Sequence, residues 1–413
     1  MRRVLLCGVA LLLAGCTSTG GVGPSGSATP PVPDPSSHTT STHAPSSHTS
    51  SAPRSSATHP RSTPASSAAP ASTAQQVLAG MSLRQRVGQL LMVDCSTAGV
   101  SAATSAAITQ DDVGSVILDR TSYAGLAAAQ AVTAQVRSLA PRDVGLFVAT
   151  DQEGGEVQRL QGAGFTQIVS GVEQGTIPPA ALQGYAQGWG EQLRSAGVNV
   201  NLAPVLDTVP AGFGSNPPIG DLDREFGNTP DVVTAHGVAV LRGMAAAGVD
   251  ATVKHFPGLG RVRGNTDTSS GVTDDVTTRH DPYLAPFQAA VNAGVPFVMM
   301  STAIYSRLDP GVPAAFSRTI VTGMLRGDLG FQGVIISDDL GAAKQVSGYG
   351  VGQRAIDFVA AGGDIVLTVD ATEAATMTGA LIAKAQSDKA FAQLVNAAAL
   401  RVLQAKQARG LLH

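Results

Sequence analysis

Eight short apolar runs rich in β-branched residues recur between residues 89 and 368, each followed by a longer segment, often Ala-rich, of helical character. Alternation of this kind makes βα units, and successive βα units make a parallel sheet covered by helices. The runs are 89–94, 115–118, 145–150, 199–204, 251–255, 296–301, 333–337 and 364–368, and the clearest helical stretches between them are 122–139, 182–196, 230–247 and 353–361. Eight units suffice to close a barrel, so the expected class is α/β, a single (β/α)8 TIM barrel. An open, doubly wound sheet is the competing arrangement. The first run is not followed by a Gly-x-Gly-x-x-Gly turn, which weighs against it.

The pattern is missing from the first 73 residues. Met1-Arg2-Arg3 is a basic leader, and residues 4–15 are apolar but too few to span a bilayer, which takes roughly 20 residues. They read as a secretory signal peptide, residues 1–15. Leu13-Ala14-Gly15-Cys16 resembles a bacterial lipobox, which implies cleavage before Cys16, acylation of that cysteine with palmitate-type chains, and anchorage on the extracytoplasmic face of the cell membrane. An ordinary signal peptide with an incidental cysteine is the alternative. Residues 16–73 are Ser, Thr, Pro, His, Gly and Ala with almost no large apolar side chain, a composition that cannot offset chain entropy by burial and reads as a disordered tether. His38, His43, His48 and His59 are scattered through it, more in keeping with a solvated linker than with a metal site. The folded domain is expected over 74–413, where Cys95 is the one cysteine; a disulfide framework is excluded and Cys95 reads as packing. A formal charge of −3 without basic clusters argues against a nucleic-acid partner. Nothing points to an obligate protein partner, so a monomer is expected.

Polar residues gather at the ends of the runs. Asp151 follows the third, Asp207 the fourth, Lys254-His255 closes the fifth, Ser301 the sixth, and Asp338-Asp339 the seventh. In a barrel all these ends open on one face, the face that carries active sites. Any one such aspartate could be a helix N-cap, but five ends in succession make a site the better reading. After Lys254-His255-Phe256-Pro257-Gly258 comes a polar, aperiodic stretch, 259–279, and loops of that length inside compact domains are usually functional or disordered.

Together these motifs resemble glycoside hydrolase family 3, in its single-domain bacterial β-N-acetylglucosaminidase (β-N-acetylhexosaminidase) branch. The resemblance rests on Asp151-Gln152-Glu153-Gly154-Gly155 with Val157-Gln158-Arg159, Ala203-Pro204-Val205-Leu206-Asp207, Asp223-Arg224 with Phe226, Lys254-His255-Phe256-Pro257-Gly258, and Ile336-Ser337-Asp338-Asp339-Leu340. It implies a retaining, exo-acting glycosidase that needs no cofactor. By the match Asp338 is the nucleophile, with Asp339 the runner-up, and Asp151, Arg159, Arg224, Lys254 and His255 hold sugar hydroxyls. A carboxylate suits the first role because it forms, then releases, a glycosyl ester. For Arg159 and Arg224 a structural ion pair is the competing role.

The general acid departs from the family pattern. Leu259 stands where the branch has a second histidine, and Asp267-Thr268-Ser269 where it has an Asp-x-His pair whose histidine transfers the proton. Serine cannot donate a proton near neutral pH, whereas Asp267 can if burial raises its pKa. Asp274 and Asp275 are alternatives, and His280 reads as a surface or capping residue. The expected function is release of terminal β-linked N-acetylglucosamine from muropeptides or other peptidoglycan fragments. A glycan-binding lipoprotein with impaired catalysis and a family 3 glycosidase of other sugar specificity are the alternatives. No His-x-His or Cys/His cluster in the folded part has metal-ligand spacing.

Overall fold

The computed structural model describes residues 72–413. The expected signal peptide, the expected acylation of Cys16 and nearly all of the expected tether lie outside the described residues. Helical structure starts at Thr73–Gly80, one residue inside the stretch read as tether. The Ser72 hydroxyl caps it, and Gln75 answers the Ser72 N–H.

Eight parallel strands form a closed barrel: β1 (Leu91–Asp94), β2 (Ser115–Leu118), β3 (Phe147–Thr150), β4 (Val200–Asn201), β5 (Asp250–Phe256), β6 (Phe297–Met300), β7 (Val334–Asp339) and β8 (Ile365–Thr368). They stand in chain order around it, and β8 closes on β1 with Leu91 opposite Val366. The expected barrel is the one observed. β4 is shorter than its sequence run; beyond Asn201 the Ala203 and Pro204 carbonyls still accept from the Thr252 and Lys254 N–H groups of β5, and an isolated Val205–Lys254 bridge follows.

Successive side chains of a strand point to opposite faces, and here both faces are buried, so the strands read as continuous apolar runs. Met92, Ile117, Phe147, Leu202, Phe297, Met299, Ile336 and Leu367 fill the interior, with Phe147 and Phe297 edge to face at 5.3 Å. Leu91, Val93, Val116, Val148, Val253, Val298, Ile335 and Val366 face the helices. Truncating an interior ring such as Phe147 to Ala costs about 3–5 kcal/mol.

Local signals set the helix ends. Thr229 caps helix Pro230–Ala247 through the Val232 N–H, proline occupies the first turn, and Gly248 ends the helix at φ +79°. The final helix, Lys389–Ala408, closes the N-terminal end of the barrel: Val402 joins the interior cluster and the Leu411 carbonyl accepts from the Gly145 N–H at 2.7 Å. That leaves the opposite end, the C-terminal mouth, open for a site.

Candidate active site

All seven side chains singled out from the sequence, Asp151, Arg159, Arg224, Lys254, His255, Asp267 and Asp338, line one cleft at the mouth of about 400 Å³. That volume suits a small ligand. Leu202, Met299 and Leu367, from the barrel interior, line it too.

Four charged groups cluster around Lys254. Lys254, at the end of β5 and 2% exposed, places Nζ 2.6 Å from Asp151 Oδ1 and 2.6 Å from Glu153 Oε1. Arg224 grips Glu153 with both Nε and Nη2 at 2.8 Å, while its Nη1 donates to the Pro218 carbonyl at 2.7 Å. Burial works against the charges of Lys254, Glu153 and Arg224, but the partners prevail. Lys254 is held above its ordinary pKa by Asp151 and Glu153, and Glu153 far below the carboxylate range by Arg224 and Lys254. Arg224 therefore has the structural ion pair weighed against its sugar-binding role, and still lines the cleft. Among the described residues Arg159 has no such pair; Nη1 lies 3.5 Å from Thr121 Oγ1 and the buried Nε has no partner.

Sequence reasoning gave Glu153 no role, although it is the hub of the quartet. Its signal was spacing: residues 152–154 are extended, and in extended chain Asp151 and Glu153 share a side. Asp207 is similar. Fully buried, it accepts from His255 Nδ1 at 2.6 Å, from the His255 N–H at 3.1 Å and from the Leu259 N–H at 2.7 Å. Because a carboxylate only accepts, Nδ1 carries a proton and Nε2 is left for the cleft.

The two adjacent aspartates of β7 have different surroundings. Asp339 accepts four main-chain N–H groups, from Gly341, Ala342, Ala343 and Val369, between 2.8 and 3.0 Å. Asp338 takes one hydrogen bond from the described residues, the Asp339 N–H at 2.9 Å. Burial pushes the Asp338 carboxyl up; His255 and Lys254 oppose this, and Asp267 adds to it. Lys254 thus favours an ionised Asp338, but desolvation outweighs it. Asp267 is exposed to solvent, yet desolvation by the surrounding protein raises its carboxyl too; His255 and Arg224 oppose this, and the charges of Asp339 and Asp151 add to it.

The other acid candidates lie away from the cleft lining. Asp274 is buried and committed to the Val276 and Thr277 N–H groups and the Thr277 hydroxyl, and Asp275 and His280 are exposed. Cys95 is buried, its thiol pushed up to about 12 by desolvation, which suits packing and not nucleophilic chemistry. A second hollow shares Asp119 and Arg159 with the cleft lining, and there burial and the hydrogen bond and charge of Asp119 push Asp94 up to about 7.

Comparison with known proteins converges on one family. Residues 82–405 match the glycosyl hydrolase family 3 N-terminal domain. Over 288 residues, 67% of this chain and 83% of the relative, the sequence is 34% identical to a β-hexosaminidase of Xanthomonas axonopodis pv. citri (strain 306). The fold matches a crystal structure of β-N-acetylhexosaminidase from Beutenbergia cavernae with TM-score 0.79 and 49% identity, covering 80% of this chain and 99% of that one. It also matches a family 3 β-N-acetylglucosaminidase from Paenibacillus sp. with TM-score 0.74 and 32% identity, over 80% and 63% of the two chains.

Proposed function

This chain belongs to glycosyl hydrolase family 3 and is a glycosidase acting on O-glycosyl bonds; from that premise we propose a retaining, exo-acting β-N-acetylglucosaminidase with Asp338 as nucleophile and Asp267 as acid. The names of the relatives support the amino sugar. The observation that carries the mechanism is the contrast on β7: Asp339 is saturated by four N–H groups, while Asp338 keeps bonding capacity toward the cleft.

Burial raises both carboxyls, the charge of Asp267 adds to the rise at Asp338, and the charges of Asp339 and Asp151 add to it at Asp267, which favours one proton on the pair. His255 favours the negative charge on both; Lys254 and the Asp339 N–H favour it further on Asp338, whereas at Asp267 Arg224 favours it and the acids Asp339 and Asp151 oppose it. Asp338 then attacks the anomeric carbon as Asp267 gives its proton to the departing oxygen, leaving a glycosyl ester on Asp338. In the second half Asp267 takes a proton from the water that attacks the same carbon, and the ester bond breaks. Asp151, Lys254, Arg224, Arg159 and His255 hold the hydroxyls, because fixed charged groups reject ligands that cannot pair with them. Ser269, whose presence favoured a binding-only protein, does not line the cleft, whereas Asp267 does.

Peptidoglycan fragments, including muropeptides, are the proposed substrates, and a lipid anchor at Cys16 would hold the enzyme at the outer face of the cell membrane beside them. Labelled palmitate should enter the wild-type protein and not Cys16→Ala. For the activity, the full chain should release nitrophenolate from 4-nitrophenyl N-acetyl-β-glucosaminide and Asp338→Ala should not. Turnover of the glucoside in preference to the N-acetylglucosaminide would refute the sugar assignment, and an active Asp338→Ala the nucleophile.

A further inference from the structure

The Asp267 N–H is held within its own loop by Asn265 Oδ1 at 2.8 Å, and the contacts that tie this part of the loop to the barrel come from the segment immediately after the nucleophile. The Lys344 N–H donates to the Asp267 carbonyl at 3.1 Å and the Gln345 N–H to the Thr266 carbonyl at 2.9 Å. The Gln345 side chain, 7% exposed, then closes both main-chain bonds of Val272: Oε1 accepts from its N–H at 2.9 Å and Nε2 donates to its carbonyl at 3.2 Å. The acid loop is stapled at Thr266–Asp267 and again at Val272. The stapling segment is itself tied to β7, since Asp339 holds the N–H groups of Gly341, Ala342 and Ala343. It is also tightly packed: a Cβ on Gly341 would come within 2.2 Å of Thr368 Oγ1.

A short stretch of chain thus runs from the Asp338 carboxyl, through Asp339 and residues 341–345, to the main chain of Asp267. Retaining glycosidases need their two carboxyls about 5–5.5 Å apart, and a displacement of about 1 Å can cost roughly 10²-fold in rate. We propose that Gln345 is a positioning residue for the acid: by clamping Val272 it holds the loop so that Asp267 stays at working distance from Asp338. This rests on the reading of Asp267 as the acid. Gln345 does not line the cleft.

A clamp and a mere core contact differ in what their loss affects. An aryl glycoside with a nitrophenolate leaving group needs little protonation, while N,N′-diacetylchitobiose needs the acid fully. Gln345→Met keeps the volume and removes both bonds. It should lower kcat on the disaccharide about 10- to 100-fold with KM changed less than about 2-fold, and kcat on the aryl substrate less than about 3-fold. Equal losses on the two substrates, or none on the disaccharide, would overturn the proposal. Gln345→Glu, which retains the acceptor for the Val272 N–H, should fall between wild type and Gln345→Met, and it decides the matter by the same comparison if the methionine variant does not fold. Asp267→Asn run in parallel separates the two ideas. If it spares the disaccharide, the acid assignment fails and the clamp with it. If it lowers disaccharide turnover selectively while both Gln345 variants do not, only the clamp fails.

Discussion

Asp364 lies at the floor of the barrel, just before β8, and Asp338 at the mouth, near the end of β7. Both are desolvated, both carboxyls are raised chiefly by burial, and both have cations nearby that oppose the rise. Asp364 is completed by protein. Arg326 Nη2 at 2.5 Å, Arg401 Nε at 2.8 Å and the Ile335 N–H at 2.8 Å occupy its two oxygens, and these donors come from two helices and a neighbouring strand. Asp338 receives one main-chain N–H and otherwise opens on the cleft. The same buried charge becomes architecture where its bonding is closed and chemistry where it is left open. If that distinction is right, changes at the mouth should alter turnover far more than stability, and changes at the floor the reverse.

The largest effect is expected at the mouth. Asp338→Ala should lower kcat for the aryl substrate by about 10⁴-fold or more, as loss of a nucleophile does in other covalent enzymes. Its stability should move the other way with pH. A carboxyl raised in the folded state holds a proton that the unfolded chain has already released, so wild-type stability declines as pH rises from the ordinary carboxyl range through the raised value. Asp338→Asn should therefore gain in melting temperature relative to wild type between pH 4 and pH 8. A variant that loses ground over that interval would show Asp338 to be structural after all.

Next comes the floor. Asp364→Ala strands Arg326 and Arg401 and leaves the Ile335 N–H unpaired, and breaking a buried pair from one side costs about 3–5 kcal/mol. Urea titration should show that loss. In the folded fraction kcat/KM for the aryl substrate should stay within about 2-fold of wild type, given the distance from the cleft implied by opposite strand ends. A large loss of turnover in folded protein would break the comparison.

Sequence pattern made the barrel legible because each strand is short, apolar on both faces and separated from the next by a long helical segment. It also carried the polar strand ends, since closure alone brings them to one face. It could not tell Asp338 from Asp339 on chemistry, because the two differ only in which loop N–H groups reach them, and that is decided by the turn at Gly341 and by Val369 on another strand end. Glu153 was invisible as a hub for the same reason: its partners lie 71 residues away at Arg224 and on β5 at Lys254. The floor was least legible of all. Lys406 in a run of Ala, Gln, Lys and Arg looks like a solvent-facing helix residue, and only the fit of the last helix against the barrel buries it.

Lys406 gives the smallest and most selective test. Its ammonium is fully buried, donates to Gln89 Oε1 at 2.6 Å and the Gly114 carbonyl at 2.8 Å, and lies 5.5 Å from the Phe147 ring centre. Unlike Lys254 at the mouth, it forms no carboxylate ion pair among the described residues, so desolvation has nothing to oppose it and lowers its pKa to about 7. Above pH 7 the folded state has shed this proton while the unfolded chain keeps it until about pH 10.4, so the contribution of this lysine to stability rises with pH across that window. Lys406→Met removes the titration and leaves two acceptors unpaired, an offset that does not vary with pH. The difference in unfolding free energy, wild type minus Lys406→Met, should therefore grow by about 2 kcal/mol between pH 7 and pH 9, since each unit of pH is worth about 1.4 kcal/mol per proton. Lys254, raised instead of lowered by its two carboxylates, has no such slope in that interval. A flat difference would mean that the neutral acceptors and the aromatic face hold the ammonium charged, and that the floor, like the mouth, can stabilise a buried cation.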